Sequence, residues 1–189
     1  LNRAEVKRDL EDYQGAIADY TKVIELDPNV SVNYSSRSEV KQELEDYYGA
    51  IADYTKAIEL DPNYAAAYNN RGNAKSALND NSGAIADYDK AIELNPNLGQ
   101  SYQGRGNAKQ NKAIDYYGQI SDYTNSLELL PNHSSNIYAY AKRGYAKFKI
   151  GGELGACKDF KRAHDLGHKH ALKYAEYYLG NKCNRIFRQ

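Results

Sequence analysis

A period of 34 residues constrains this chain more than any other feature. Residues 11–29 and 45–63 agree at 17 of 19 positions, differing only at Gln14/Tyr48 and Val23/Ala57. The same offset relates Gly49 to Gly83, Pro62 to Pro96, and Arg37 to Arg71 and Arg105. A looser copy ends at Pro131 with one extra residue near Lys109 to Ala113. Another runs from about Ile137 to His168 after an added Ser134-Ser135-Asn136. Five units result, the first lacking its opening turn. A repeat of this size is one supersecondary unit that cannot cover its own apolar face, so neighbours must stack and the core becomes a ribbon through the array.

Within a unit, apolar and small residues recur at helical spacing. Tyr68, Gly72, Lys75 and Leu78 share one face of a first helix, and Ala84, Tyr88, Ala91 and Leu94 one face of a second. Asp80 can cap the start of the second helix, Pro96 falls where it stops, and Asn97 can cap the first helix of the next unit. Each unit is therefore a pair of short helices, A and B. The array is expected to occupy residues 1–30, 31–64, 65–98, 99–133 and 137–168, followed by a capping helix at 169–179 and a tail at 180–189.

These residues resemble the tetratricopeptide repeat family. An aromatic residue opens helix A (Tyr34, Tyr68, Tyr102, Tyr140) and a small residue follows four positions later (Ser38, Gly72, Gly106, Gly144). Helix B carries Ala16, Ala50, Ala84 and Ala156, then Tyr20, Tyr54, Tyr88, Tyr123 and Phe160, and then the proline. The resemblance implies an all-α, right-handed superhelical solenoid of five helix pairs with a C-terminal capping helix. It also implies a concave wall of A helices that holds a partner peptide or domain. One subclass of the family grips C-terminal carboxylates with a lysine followed four residues later by asparagine. Here those sites read Ser35/Glu39, Asn69/Asn73, Gln103/Asn107 and Ala141/Tyr145, so the lysine is missing.

The fourth unit departs from the pattern. Gln119 stands where the others have alanine, and Ser126 where two of them have Ala57 and Ala91. An amide and a hydroxyl in apolar slots predict a looser fit of its two helices. After the fifth unit, Leu172, Tyr174, Ala175 and Tyr178 can cover the last pair.

Nothing points to catalysis or to a cofactor. No phosphate-binding loop, dinucleotide fingerprint, nucleophile elbow or zinc-protease motif occurs, and the chain is read as a non-enzyme. His164 and His168 are four apart, but Leu166-Gly167 falls where helix B should end, so the pair straddles a turn and no metal site is expected. Cys157 fills the slot of Ile17, Ile51 and Ile85 and reads as a small buried apolar residue. With only two cysteines, neither a disulfide framework nor a zinc ribbon is expected, which favours a reducing compartment. The chain contains no methionine, so Leu1 is not taken as the natural start, and localisation stays open with a cytoplasmic preference. No apolar run approaches the roughly 18 residues of a membrane span, so no membrane partner is expected.

Charge is balanced, with 25 basic and 25 acidic residues, so bulk electrostatics recruit no nucleic acid. Two charges recur in every unit: Arg3, Arg37, Arg71, Arg105 and Arg143 on helix A, and Asp19, Asp53, Asp87, Asp122 and Asp159 on helix B. Recurrence even in divergent units predicts that they pair with each other to hold the fold rather than to bind a ligand.

The binding face is expected on helix A, opposite the core stripe. Its candidate residues are Asn69, Asn70 and Asn73, then Gln103, Asn107 and Gln110, then Tyr138, Lys142 and Tyr145. Amides both donate and accept, so a row of them can bond the backbone of an extended peptide. The chain is accordingly read as a protein-interaction scaffold of unidentified partner. From Lys158 to Gln189 eight basic residues face three acidic ones. This supports an alternative in which the basic end meets nucleic acid or an anionic surface; a third, separate reading makes the array the passive scaffold of a larger protein.

Overall fold

The computed structural model describes residues 2–112 and 115–187. They form twelve α-helices and one 3₁₀ turn, with no strand among the described residues. The chain divides into two compact units, residues 1–96 and 97–189.

In the first unit, six helices form three hairpins: α1 (Asn2–Asp9) with α2 (Tyr13–Leu26), α3 (Ser31–Glu43) with α4 (Tyr47–Leu60), and α5 (Ala65–Ala77) with α6 (Asn81–Leu94). Each helix packs on its neighbour in sequence, and α3 also touches α5. Asp12, Asp46 and Asp80 start the B helices, each accepting a hydrogen bond from the backbone N–H of Gly15, Gly49 or Gly83 at 2.9–3.0 Å. Such a cap satisfies one of the orphan amides of a helix start. α3 and α5 lack this device. Asn63, the counterpart of Asn97, is not the cap of α5; its boundary residue is Tyr64, with no side-chain cap bond. Between A and B the chain turns through a left-handed residue, Glu11, Glu45 or Asn79, with φ of 58–62°.

The second unit repeats the scheme with α7 (Gly99–Lys112) and α8 (Tyr116–Leu129), then α9 (Asn136–Lys149) and α10 (Glu153–Asp165). Asp115 caps α8 through the Gly118 amide at 2.9 Å. α7 has 14 residues where α3 and α5 have 13, and Ala113, in the stretch where the extra residue is expected, lies outside the described residues. α11 (Ala171–Leu179) covers α10, burying Ala171, Ala175 and Leu179. Gly167, at φ 102°, ends α10 and separates His164 from His168 as the sequence predicts.

Beyond Gly180 the structure differs from the expected tail. The 3₁₀ turn Gly180–Cys183 and the short α12 (Asn184–Phe187) fold back on α10. Cys183 is fully buried and joined to Cys157 in a disulfide with the Cα atoms 5.4 Å apart. Cys157 is buried as expected, but as half of a cross-link rather than a free thiol. Twenty-six residues separate the pair in sequence, so only the return of the chain over α11 brings them together.

Candidate functional site

The small residues of helix A set the closeness of each hairpin. A Cβ added at Gly72 would lie 2.9 Å from Cε1 of Tyr88, and one at Gly106 would lie 3.1 Å from Cε1 of Tyr123. The B-helix rings thus press directly on the A helix, and their hydroxyls reach side chains of that same helix. There they meet the amides: Tyr54 donates to Gln42 Oε1 at 2.6 Å, Tyr88 to Asn73 Oδ1 at 2.8 Å, and Tyr123 to Asn107 Oδ1 at 3.0 Å. Burial holds all three phenols above the ordinary tyrosine range, because an ionised ring would lose its hydration.

The recurring charges pair within their own hairpins. Arg37, Arg71 and Arg143 each grip the aspartate 16 residues later through Nε and Nη2 at 2.6–2.9 Å. Arg105 does the same with Asp122, 17 residues later, and Arg3 with Asp19. A second cation joins each carboxylate that sequence reading passed over: Lys7, Lys41, Lys75, Lys109 and Lys147, at 2.7–3.0 Å. Its signal was available, since a lysine follows every arginine by four residues, one helical turn on. Each guanidinium from Arg37 to Arg143 also lies 5.4–5.8 Å from the ring centre of the tyrosine that opens its helix. These arginines are committed to the fold.

The nine candidate binding residues divide unevenly. Asn69 is buried, and its side chain donates to Asn70 Oδ1 at 3.0 Å. Asn70 borders a polar cavity of about 490 Å³ with Arg8, Glu39 and Gln42. Asn73 is exposed, yet its carbonyl oxygen is occupied by Tyr88. Gln103 is tied to the loop before α9, accepting from Ser135 Oγ at 2.8 Å and donating to its carbonyl at 3.3 Å.

The other candidates converge. Gln110 from α7, and Tyr138, Lys142 and Tyr145 from α9, line one cavity of about 400 Å³. Its remaining walls were not anticipated as binding residues: Phe160 of α10, His168 of the following turn, and Tyr174 and Tyr178 of α11. The rings meet largely edge to face, Tyr138 with His168 at 5.5 Å and Tyr145 with Tyr178 at 5.4 Å. Lys142 is half-buried, and its ammonium donates to Asn107 Oδ1 at 2.7 Å. Burial pulls its pKa below the ordinary lysine value. No carboxylate among the described residues pairs with it. The tyrosines of α11 read from sequence as a cover for the last helix pair, and only their packing shows that they also wall a cavity. Among the described residues no group of three metal-ligating side chains is assembled, and no helix is long and apolar enough to cross a membrane.

Comparison with known proteins places these features. Profiles described as tetratricopeptide repeat match residues 1–30 and 65–98, and one described as TPR repeat matches residues 42–79. No curated protein matches the chain. Among solved structures, that titled "Crystal structure of MamA" superposes with a TM-score of 0.78 at 27% identity, covering 89% of this chain and 96% of that one. YrrB, titled a TPR protein with an unusual peptide-binding site, superposes at 0.75 with 21% identity over 93% and 90% of the two chains. The first TPR of Spaghetti (RPAP3), bound to an HSP90 peptide, superposes at 0.60 with 24% identity over 64% and 93%.

Proposed function

Since the chain is built of tetratricopeptide repeats in an all-helical solenoid, we propose that it is a protein-interaction scaffold that holds a partner on the faces of its A helices, foremost at the cavity beside α9. The observation that carries this reading is the convergence of Gln110, Tyr138, Lys142 and Tyr145 on one aromatic-walled space. A volume of about 400 Å³ lies in the range of roughly 300–1,000 Å³ typical of ligand pockets, and it combines apolar walls with a few polar groups. Two structural neighbours are described as peptide-binding or peptide-bound, which supports a peptide as the occupant. Their low identity carries no residue across.

The basic C-terminal segment is the weaker site. Lys182 pairs with Glu153, and Lys161 pairs with Asp165 at 3.0 Å, so part of its charge is already compensated.

Site-specific photocrosslinking tests the proposal. A photoreactive phenylalanine at Tyr138 or Asn70, on A helices, is expected to trap a partner from native extract, while the same group at the exposed B-helix positions Tyr48 and Tyr117 traps none. Adducts from the B-helix positions alone would sink the A-helix reading.

A further inference from the structure

Resting on that reading of the A-helix face, we infer that the cavity between α9 and α11 takes an aromatic side chain of an extended partner segment, and that Lys142 binds the carboxylate of an aspartate or glutamate two residues from that ring.

Lys142 differs from its nearest cationic neighbours on α9. Arg143 and Lys147, its neighbours on α9, are both bound to Asp159. The positions equivalent to Lys142 in earlier repeats hold Ser36, Asn70 and Gly104, so the fold requires no charge there. The ammonium is half-buried, touches one neutral acceptor, Asn107, and has no counter-ion among the described residues. Holding a cation out of water without a partner is costly, and the downward pull on its pKa reflects that cost. A ligand carboxylate would offset it.

The surrounding chemistry narrows the ligand. Phe160 is fully buried at the base, and Tyr138 and Tyr174 stand around His168 at 5.5 and 5.8 Å between ring centres. Such walls favour a planar apolar ring, which stacks edge to face or offset against them. One ammonium neutralises one negative charge, so a carboxylate fits better than a phosphate dianion, whose second charge would be left unpaired against apolar rings. In an extended segment alternate side chains project to the same side, about 7 Å apart, so an acidic residue two positions from the ring faces the cavity with it. The ring supplies apolar burial and the carboxylate supplies direction.

Titration of the full chain, labelled with nitrogen-15, with four synthetic peptides tests this. The probe acetyl-Gly-Asp-Gly-Phe-Gly-Asp-Gly-amide covers both chain directions; one control replaces both Asp by Asn, and the other replaces Phe by Ala. The probe is expected to shift the amide signals of Tyr138, Lys142 and His168 with an affinity about tenfold above either control. Lys142→Met should bring the probe down to the level of the Asn control without lowering the melting temperature, and Tyr138→Ala, at an exposed ring, should weaken all Phe peptides alike. Equal binding of the probe and the Asn control, or full affinity in Lys142→Met, overturns the assignment. So does tighter binding of acetyl-Gly-Gly-Gly-Phe with a free terminus, which would make the chain end the carboxylate source. If the probes leave these signals unmoved while crosslinking from Asn70 still traps a partner, this pocket assignment fails and the wider A-helix reading stands. If crosslinking from the A helices fails while the probe binds, the reverse holds.

Discussion

Arg71 grips the carboxylate of Asp87 through two parallel hydrogen bonds, Nε to Oδ2 at 2.9 Å and Nη2 to Oδ1 at 2.7 Å. Lys75 reaches the same carboxylate at 2.8 Å, and the third guanidinium nitrogen of Arg71 donates to Thr55 on the preceding hairpin at 3.1 Å. One side chain thus closes its own hairpin and ties it to the one before. Asp87 is buried, so removing the arginine leaves a desolvated carboxylate with a single partner. Arg71→Ala is expected to cost about 2–3 kcal/mol in urea unfolding, somewhat below the 3–5 typical of a broken buried pair because Lys75 remains. Lys90→Ala, which breaks the exposed pair with Glu93, should stay within about 0.5 kcal/mol. Similar losses for the two would contradict the structural role.

Gly72 leaves no room for a side chain. Its Cβ would stand 2.9 Å from a Tyr88 ring that is buried and fixed at its hydroxyl by Asn73. Gly72→Leu is expected to destabilise by about 2–3 kcal/mol through overpacking. Gly72→Ser should cost less, because Ser38 occupies the equivalent place and returns its hydroxyl to the Tyr34 carbonyl at 2.8 Å. Melting temperatures of the two variants decide this, and a neutral Leu variant would show the contact to be looser than described.

The fourth repeat holds its polar substitutions without partners. Gln119 Oε1 and Ser126 Oγ are both buried and unbonded within the protein. Ser126→Ala is expected to stabilise by about 1 kcal/mol, since it removes a hydroxyl that was desolvated for no bond. Because defects in a nearest-neighbour array stay local, amide exchange should be faster over residues 115–130 than over residues 47–61 in the unaltered chain. Slower exchange in the fourth repeat would refute the assignment.

The asparagines of the A helices are partly structural. Asn73→Ala leaves the Tyr88 hydroxyl without its acceptor and should cost about 1 kcal/mol, so any loss of binding in that variant must be corrected for stability. The same tyrosines predict alkaline sensitivity. Unfolded tyrosines ionise near pH 10, while burial raises Tyr54, Tyr88 and Tyr123 above it. The folded chain therefore holds more protons than the unfolded one above that pH. Stability is full below about pH 10 and falls as pH rises toward the folded values, by up to about 1.4 kcal/mol per pH unit for each ring. Urea midpoints at pH 8 and pH 11 test the sign, and Tyr88→Phe should flatten the slope.

The disulfide pins the C-terminal segment to α10. Closing a loop of 26 residues restricts the unfolded chain by about 3.5 kcal/mol in the chain-entropy account. Reduction, or Cys183→Ser, should lower the first melting transition and speed exchange over residues 171–187 while sparing residues 31–60. A uniform loss across the chain would count against a local staple.

The repeat period, the helix pairing, the Asp80 cap and the partnership of each arginine with an aspartate were legible in the sequence. All of them depend on contacts that recur at fixed spacing, and a pattern repeated in every unit reveals its own rule. The free faces were harder. Asn73 and Asn107 look alike on a helical projection, but Tyr88 and Tyr123 reach them from another helix. The cavity at Lys142 and the Cys157–Cys183 bridge are further from the sequence still. Each depends on where α11 and the segment after it come to rest against α9 and α10, a contact that happens once, outside the repeat, between residues 26 or more positions apart. Periodicity determined what the units share, because stacking imposes the same packing on each. Only the tertiary structure decided what the last unit does differently, because a single non-repeating contact leaves no periodic trace in the chain.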